Sequence, residues 1–157
     1  MVNSKSLFRT LEDVKWKQQI VNIKKVAKPV KGGVNLSFQA IVVVGDGEGN
    51  VGVGVGKASD TAVAIKKATV DGHKNVINVA LTKHKSIPYK IKGRFGAAKL
   101  VLKPSYIGSG IIAGGSPKIV LELAGIQNIL AKQLGSNNSL NNARATINAL
   151  IDIRLSR

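Results

Sequence analysis

The stretch Val51-Gly52-Val53-Gly54-Val55-Gly56-Lys57-Ala58 alternates valine with glycine and settles the local fold. Strict alternation marks an extended strand, whose successive side chains point to opposite faces. One face of this strand carries three valines and packs. The other is bare backbone, which permits close approach of a helix or another chain. Upstream, Asn35 to Val44 alternates as well: Phe38, Ala40, Val42 and Val44 share one face, and Gln39, Ile41 and Val43 the other. Gly45-Asp46-Gly47-Glu48-Gly49-Asn50 is the turn between the two. Ile20 to Val30, rich in Val and Ile with Lys24, Lys25 and Lys28 interleaved, reads as a further strand ending at a Gly32-Gly33 turn. Downstream, Ser59-Asp60 caps a helix running to about Val76. Ala64, Ile65, Ala68, Gly72 and Val76 fall within roughly a third of its circumference, and Lys66, Lys67, His73 and Lys74 fall opposite. Three strands and one helix make a small α+β domain with a basic helix face.

A second module follows. Ala80 to Lys92 and Ala97 to Lys103 read as strands, broken by Gly93 and Gly96. Pro104 and the run Gly108 to Gly115 read as a loop. Ser116-Pro117 starts a helix, with Ser as cap and Pro at the first helical position, and Gly125 stops it after Ala124. Periodicity leaves Asn128 to Leu134 open between helix and strand. After a turn at Gly135 to Asn138, Leu140 to Arg154 is an amphipathic helix with Ala143, Ile147, Leu150 and Ile151 on one face. The expected division is an N-terminal extension over 1–19, a first domain over 20–80 and a second over 81–157. Within the extension, Leu7, Phe8, Leu11 and Val14 suit a short helix.

Charge constrains function. The 157 residues carry 24 Lys+Arg against 8 Asp+Glu, a net +16 that calls for a polyanionic partner. Residues 1–103 hold 19 of those 24 cations, so the first part is expected to meet most of the phosphate. No run of apolar residues is long enough to cross a membrane as a helix, and Met1 to Val14 lacks the apolar core of a secretory signal. Absence of cysteine excludes disulfides, thiol nucleophiles and Cys-based zinc sites. With His73 and His84 the only histidines, a metal site is hard to assemble, and no cofactor is expected.

The candidate motifs separate by context. Gly47-Glu48-Gly49-Asn50-Val51-Gly52 matches G-x-G-x-x-G but lies between two strands, so it reads as a hairpin turn and not a dinucleotide cradle. Gly52 to Lys57 fails as a P-loop, because Val51 and Ala58 occupy its required Gly and Ser/Thr positions. Gly108 to Gly115 runs into a helix start, where free N–H groups favour an anion, although glycines there serve equally for unusual backbone angles. No Ser-His-Asp set stands out. The cluster Lys24, Lys25, Lys28 and Lys31 beside a Gly-Gly turn puts several cations on a hairpin able to enter a groove. Aromatics are 4% of the chain, which argues against base stacking and for folded RNA bound by shape and backbone.

Val30-Lys31-Gly32-Gly33, Leu36-Ser37-Phe38, Val43-Val44-Gly45-Asp46-Gly47, Val51 to Ala58, Asn78-Val79-Ala80-Leu81, Gly108 to Gly115 and Asn141 to Thr146 occur in an order that resembles small-subunit ribosomal protein five, over about residues 20–153. The resemblance implies a double-stranded-RNA-binding-like first domain and a β-α-β-α second domain, with Asn128 to Leu134 a strand. It implies a structural, non-enzymatic protein that binds small-subunit rRNA, contacts small-subunit ribosomal proteins four and eight, lines the mRNA entry path, and serves accuracy and assembly. The implied rRNA-binding residues are Lys24, Lys25, Lys28, Lys31, Gly32, Gly33, Lys57, Lys66, Lys67 and Lys74. Lys31, Gly32 and Gly33 match the family's loop associated with spectinomycin sensitivity. Gly108, Gly110, Gly114, Gly115 and Lys118 match a fidelity region near the contact with protein four. Val34 and Lys118 depart from the family's usual basic or polar residue and Arg, respectively, and the chain ends at Arg157 without the tail of many members. Thr82-Lys83, Gly96 to Lys99 and Gln133 to Asn138 look most like the plastid and cyanobacterial branch, which implies a plastid ribosome, with a bacterial cytoplasm as the alternative.

Overall fold

The structure is a computed structural model that describes residues 15–155; the helix expected around Leu7 to Val14 lies outside the described residues. In chain order the elements are β1 (Lys17–Val30), β2 (Gly33–Gly45), β3 (Asn50–Ala58), α1 (Thr61–Lys74), β4 (Ile77–Asn78), β5 (Ile91–Phe95), β6 (Ala98–Pro104), β7 (Ile111–Ile112), α2 (Gly115–Leu123), β8 (Ile129–Gln133) and α3 (Ser139–Leu155). They form two four-stranded sheets, ordered β1-β2-β3-β4 and β5-β6-β8-β7. The architecture is the expected α+β one: three long strands and a helix, then a β-α-β-α module.

Register explains how the first sheet packs. Ala40, Val42 and Val44 pair with Gly56, Gly54 and Gly52, so the three glycines lie on one face beside small apolar neighbours. A Cβ on any of them would run into the α1 backbone carbonyls of Ala64, Ala68 and Gly72. The bare face of β3 is therefore a seat for a helix. Ala64 and Ala68, fully buried, close it from above. The opposite face carries Ile41, Val43, Val51 and Val53, and these join the main core, which is built largely from the second module. Both faces are covered, which is why Ala40 to Val44 is a continuous apolar run and not a half-polar one. Past β4, Asp71 Oδ2 accepts from the Val55 backbone N–H at 3.0 Å and covers the outer edge of β3.

Packing proceeds in layers: α1, the first sheet, then α2 and α3, then the second sheet. Two glycines let the modules touch backbone to backbone. Gly45 meets the Leu123 carbonyl, and Gly125 (φ +84) meets that of Gly47. The Gly47 N–H donates to Leu123 O at 3.0 Å, and the Val79 N–H to Gly49 O at 2.6 Å.

The structure corrects several boundaries. β1 begins at Lys17, inside the stretch read as extension. The first turn is Lys31-Gly32, with Gly33 already paired to Val30. α1 ends at Lys74, where Asn75 folds back through its N–H to Gly72 O and its Nδ2 to Asp71 O. Asp60 occupies the N-cap position but makes no side-chain cap bond. Ala80 to Lys90 is not a strand: the Thr82 N–H donates to Ser86 O and the Lys85 N–H to Thr82 O, Lys85 takes φ +51, and Pro88 has no N–H to give a ladder. Gly93 does not break β5 but lies within it, because a Cβ there would meet the Ala145 carbonyl and, at 2.7 Å, the Ala149 Cβ of α3. Pro104 closes β6, and Ile111–Ile112 interrupts the expected loop as a strand parallel to β8. α2 starts at Gly115 with Gly114 as N-cap, which still leaves Pro117 in the first turn, where its missing N–H costs nothing. The buried face of α3 is Asn142, Ala143, Ala145, Thr146, Ala149, Leu150 and Ile153, while Ile147 and Ile151 are half-buried. Packing against both α2 and the second sheet widens that face and selects small residues over the bulky ones expected.

Candidate nucleic-acid interface

β1 and β2 outrun β3. β3 pairs with β2 only from Phe38 to Gly45, so Val26 to Ser37 projects beyond the sheet as a two-stranded ribbon. Its tip is a two-residue turn with Gly32 at φ +88, and nothing lies within 4 Å of where a Cβ would stand on Gly32 or Gly33. Lys31 is exposed at that tip. Val30, Val34 and Leu36 are exposed along the ribbon, so its apolar residues are not spent on the core.

Cross-strand partners share a face, which sorts the hairpin lysines. Lys24 pairs with Gln39, and Gln39 with Lys57, giving a transverse row on the face away from α1; Lys28, opposite Asn35, continues that face. Lys25 pairs with Phe38 and lies on the α1 side. Of the four hairpin lysines, Lys28 and Lys31 lie on the ribbon, and Lys24 and Lys25 stand at its base on opposite faces, so the four do not form one patch. Lys66, Lys67 and Lys74 are exposed on α1 and line a shallow groove with Val70 and Asp71. Of these, Lys67 Nζ reaches the Lys57 carbonyl at 3.5 Å, which links the helix group to the end of β3.

Two anchors, one just before β1 and one within it, tie the start of that strand to α1. The Trp16 and His73 rings meet edge to face with centroids 5.1 Å apart, and Thr69 Oγ1 lies 3.0 Å from Gln18 Oε1. The sequence offers no signal for the Trp16 pairing, since a lone aromatic upstream of a strand has no period to place it.

The glycine-rich stretch is a separate site in the second module. Gly108 and Gly110 take φ +88 and +74, and Gly115 takes +45 at the start of α2. Exposed Lys118 stands in the first turn of that helix. Buried Asn128 holds the loop: its Oδ1 accepts from the Gly108 N–H at 3.0 Å, and its Nδ2 donates to His84 O at 3.0 Å. Ser86 Oγ donates to the Asn128 carbonyl at 2.6 Å, and Gln133 Nε2 donates to Gly114 O at 3.2 Å. Sequence reasoning misses Asn128 and Gln133 because a lone Asn or Gln in an apolar segment carries no pattern. Among the described residues no three His, Asp or Glu side chains gather as a metal site would need, and no helix is long and apolar enough to cross a membrane.

A basic hairpin, a basic helix face and a glycine loop on a two-module α+β frame give the extended cationic surface that marks nucleic-acid-binding proteins. The sequence matches the family model described as Ribosomal protein S5, N-terminal domain, over residues 16–80, and that of the C-terminal domain over residues 93–156. It is 61% identical over 155 residues to a small ribosomal subunit protein uS5c of Emiliania huxleyi, covering 98% of each chain. Identity is 56% to the uS5c of Guillardia theta, over 98% of this chain and 92% of that one. It is 55% to the uS5 of the cyanobacterium Nostoc punctiforme, over 91% and 82%. The chain belongs to the ribosomal protein S5 family.

Proposed function

We propose that this chain is a structural constituent of the small ribosomal subunit in a plastid, where it binds small-subunit rRNA. The observation that carries the reading is the match of both domains, in order, to one ribosomal family, with uS5c proteins of algal plastids among the relatives. The cyanobacterial relative favours bacterial cytoplasm as the second location. The rRNA surface comprises Lys24, Lys25, Lys28, Lys31, Gly32, Gly33, Lys57, Lys66, Lys67 and Lys74. A projecting ribbon with Lys28 along it, Lys31 at its tip and Lys24 and Lys25 on opposite faces of its base suits insertion beside phosphate backbones, and the exposed α1 lysines extend the surface. Gly108, Gly110, Gly114, Gly115 and Lys118 form the region for protein contact and accuracy, facing ribosomal protein four; protein eight and the mRNA entry path are the further neighbours. The domains divide near residue 80, where the short β4 ends the first sheet.

Sucrose-gradient sedimentation of a lysate before and after a high-salt wash tests this. The chain is expected to migrate with small subunits and to survive moderate salt. A peak confined to the top of the gradient refutes the assignment.

A further inference from the structure

Among the described residues, the second sheet has one face that no helix covers. α2 and α3 lie against Gly93, Ala98, Leu100, Leu102 and Ile129 on the inner face. Register places the remaining residues on the outer face in three transverse rows: Lys92, Val101 and Lys132; Arg94 and Lys99; Lys103, Leu130 and Ile112. All five cations are exposed. Along β6, Lys99, Val101 and Lys103 are successive same-face positions about 6.8 Å apart, and across the sheet Lys92 and Lys132 are separated by two strand spacings, or about 9.6 Å. No carboxylate occurs among the residues of this face. Five like charges within about a Debye length of their neighbours repel one another unless an anionic surface lies over them.

We propose that this outer face is a second RNA-binding surface, distinct from the hairpin and α1, which takes the phosphate backbone of structured RNA. Charge complementarity supplies the partner's sign, and the side-chain types supply its class. Four of the five cations are lysines, which protein–protein interfaces disfavour, and the face has no Trp or Tyr to anchor a protein partner. Aromatics to stack on bases are equally absent, as are Asn and Gln to read base edges, so the face meets phosphate and sugar. Val101 and Leu130 are half-buried on a face that no described element covers. The neighbouring lysines have apolar stems long enough to cover such residues while their ammonium groups stay outward, at the level a backbone would occupy. The +16 charge is then distributed to both outer layers of the molecule, α1 at one end and this sheet at the other.

The surface shares its polymer with the proposed function but none of its residues, so the two readings fail separately. The test measures binding of the full chain to a small-subunit rRNA transcript across a salt series. It compares Lys92→Gln/Lys99→Gln/Lys132→Gln with Lys66→Gln/Lys67→Gln/Lys74→Gln. The sheet variant is expected to bind more weakly and to flatten the log–log salt slope by roughly 0.7 to 0.9 for each phosphate it no longer neutralises. It should also leave unprotected some backbone positions that the helix variant still protects. The corresponding triple Lys→Arg variant should retain both the slope and the protection, which separates charge from folding. An unchanged slope and footprint in the sheet variant, with the helix variant impaired, overturns this proposal and leaves the first reading intact. Unchanged RNA binding with failure to incorporate into subunits also overturns it, in favour of an acidic protein.

Discussion

Two adjacent glycines at the hairpin tip look equivalent in the sequence and are not. Gly32 sits at φ +88, whereas Gly33 is paired in β2 with Val30 and needs no unusual angle. A Cβ meets no neighbour at either position, so space does not discriminate them; backbone conformation does. Valine at Gly32 is forced toward a left-handed conformation that costs roughly 1–2 kcal/mol or distorts the turn. Gly32→Val is expected to speed amide exchange across Val30 to Val34 and to weaken rRNA binding. Gly33→Val should leave exchange near that of the parent. Since the ribbon projects beyond the core, the thermal midpoint should move little in either case. Equal exchange rates in the two variants contradict this assignment.

At the level of elements, the readable parts are those with a period. β2 and β3 show their alternation, and the Val/Gly strand predicts its own helix because nothing but close packing rationalises three glycines on one face. The α1 basic face follows from the same arithmetic. Partnership between distant segments is not legible in this way. The shared face of the second-sheet cations stays hidden because Ala80 to Lys92 reads as one strand, and a shifted strand conceals which residues lie side by side. Asn128 is hidden for a related reason: its value lies in joining the 82–86 turn to the Gly108 loop, and neither segment announces the other. That clasp carries its own expectation. Asn128→Ala leaves the His84 carbonyl and the Gly108 N–H without their side-chain partners, at a cost of about 1–3 kcal/mol. Exchange at Gly108 should accelerate while β1 and β2 stay protected. Unaltered exchange at Gly108 would show that the loop keeps its shape by its glycines alone.

For the whole molecule, the two sequence modules share one core. Ile41, Val43, Val51 and Val53 of the first sheet are buried in the same cluster as Leu100, Leu121 and Leu150 of the second module. At about 1.5–3 kcal/mol for each fully buried side chain, exposing those four forfeits roughly 6–12 kcal/mol. A whole domain is stable by only about 5–15 kcal/mol. The first module therefore depends on the second, even though its strands and helix are complete within it. Thermal unfolding of the full chain is expected to be a single transition by circular dichroism and by Trp16 fluorescence alike. Residues 15–80 expressed alone should bind a hydrophobic dye and melt without cooperativity. Two separated transitions in the full chain, or a cooperative melt of the fragment, would mean that the valine face of β3 contributes far less than its burial implies, and that each module is held together by its own packing.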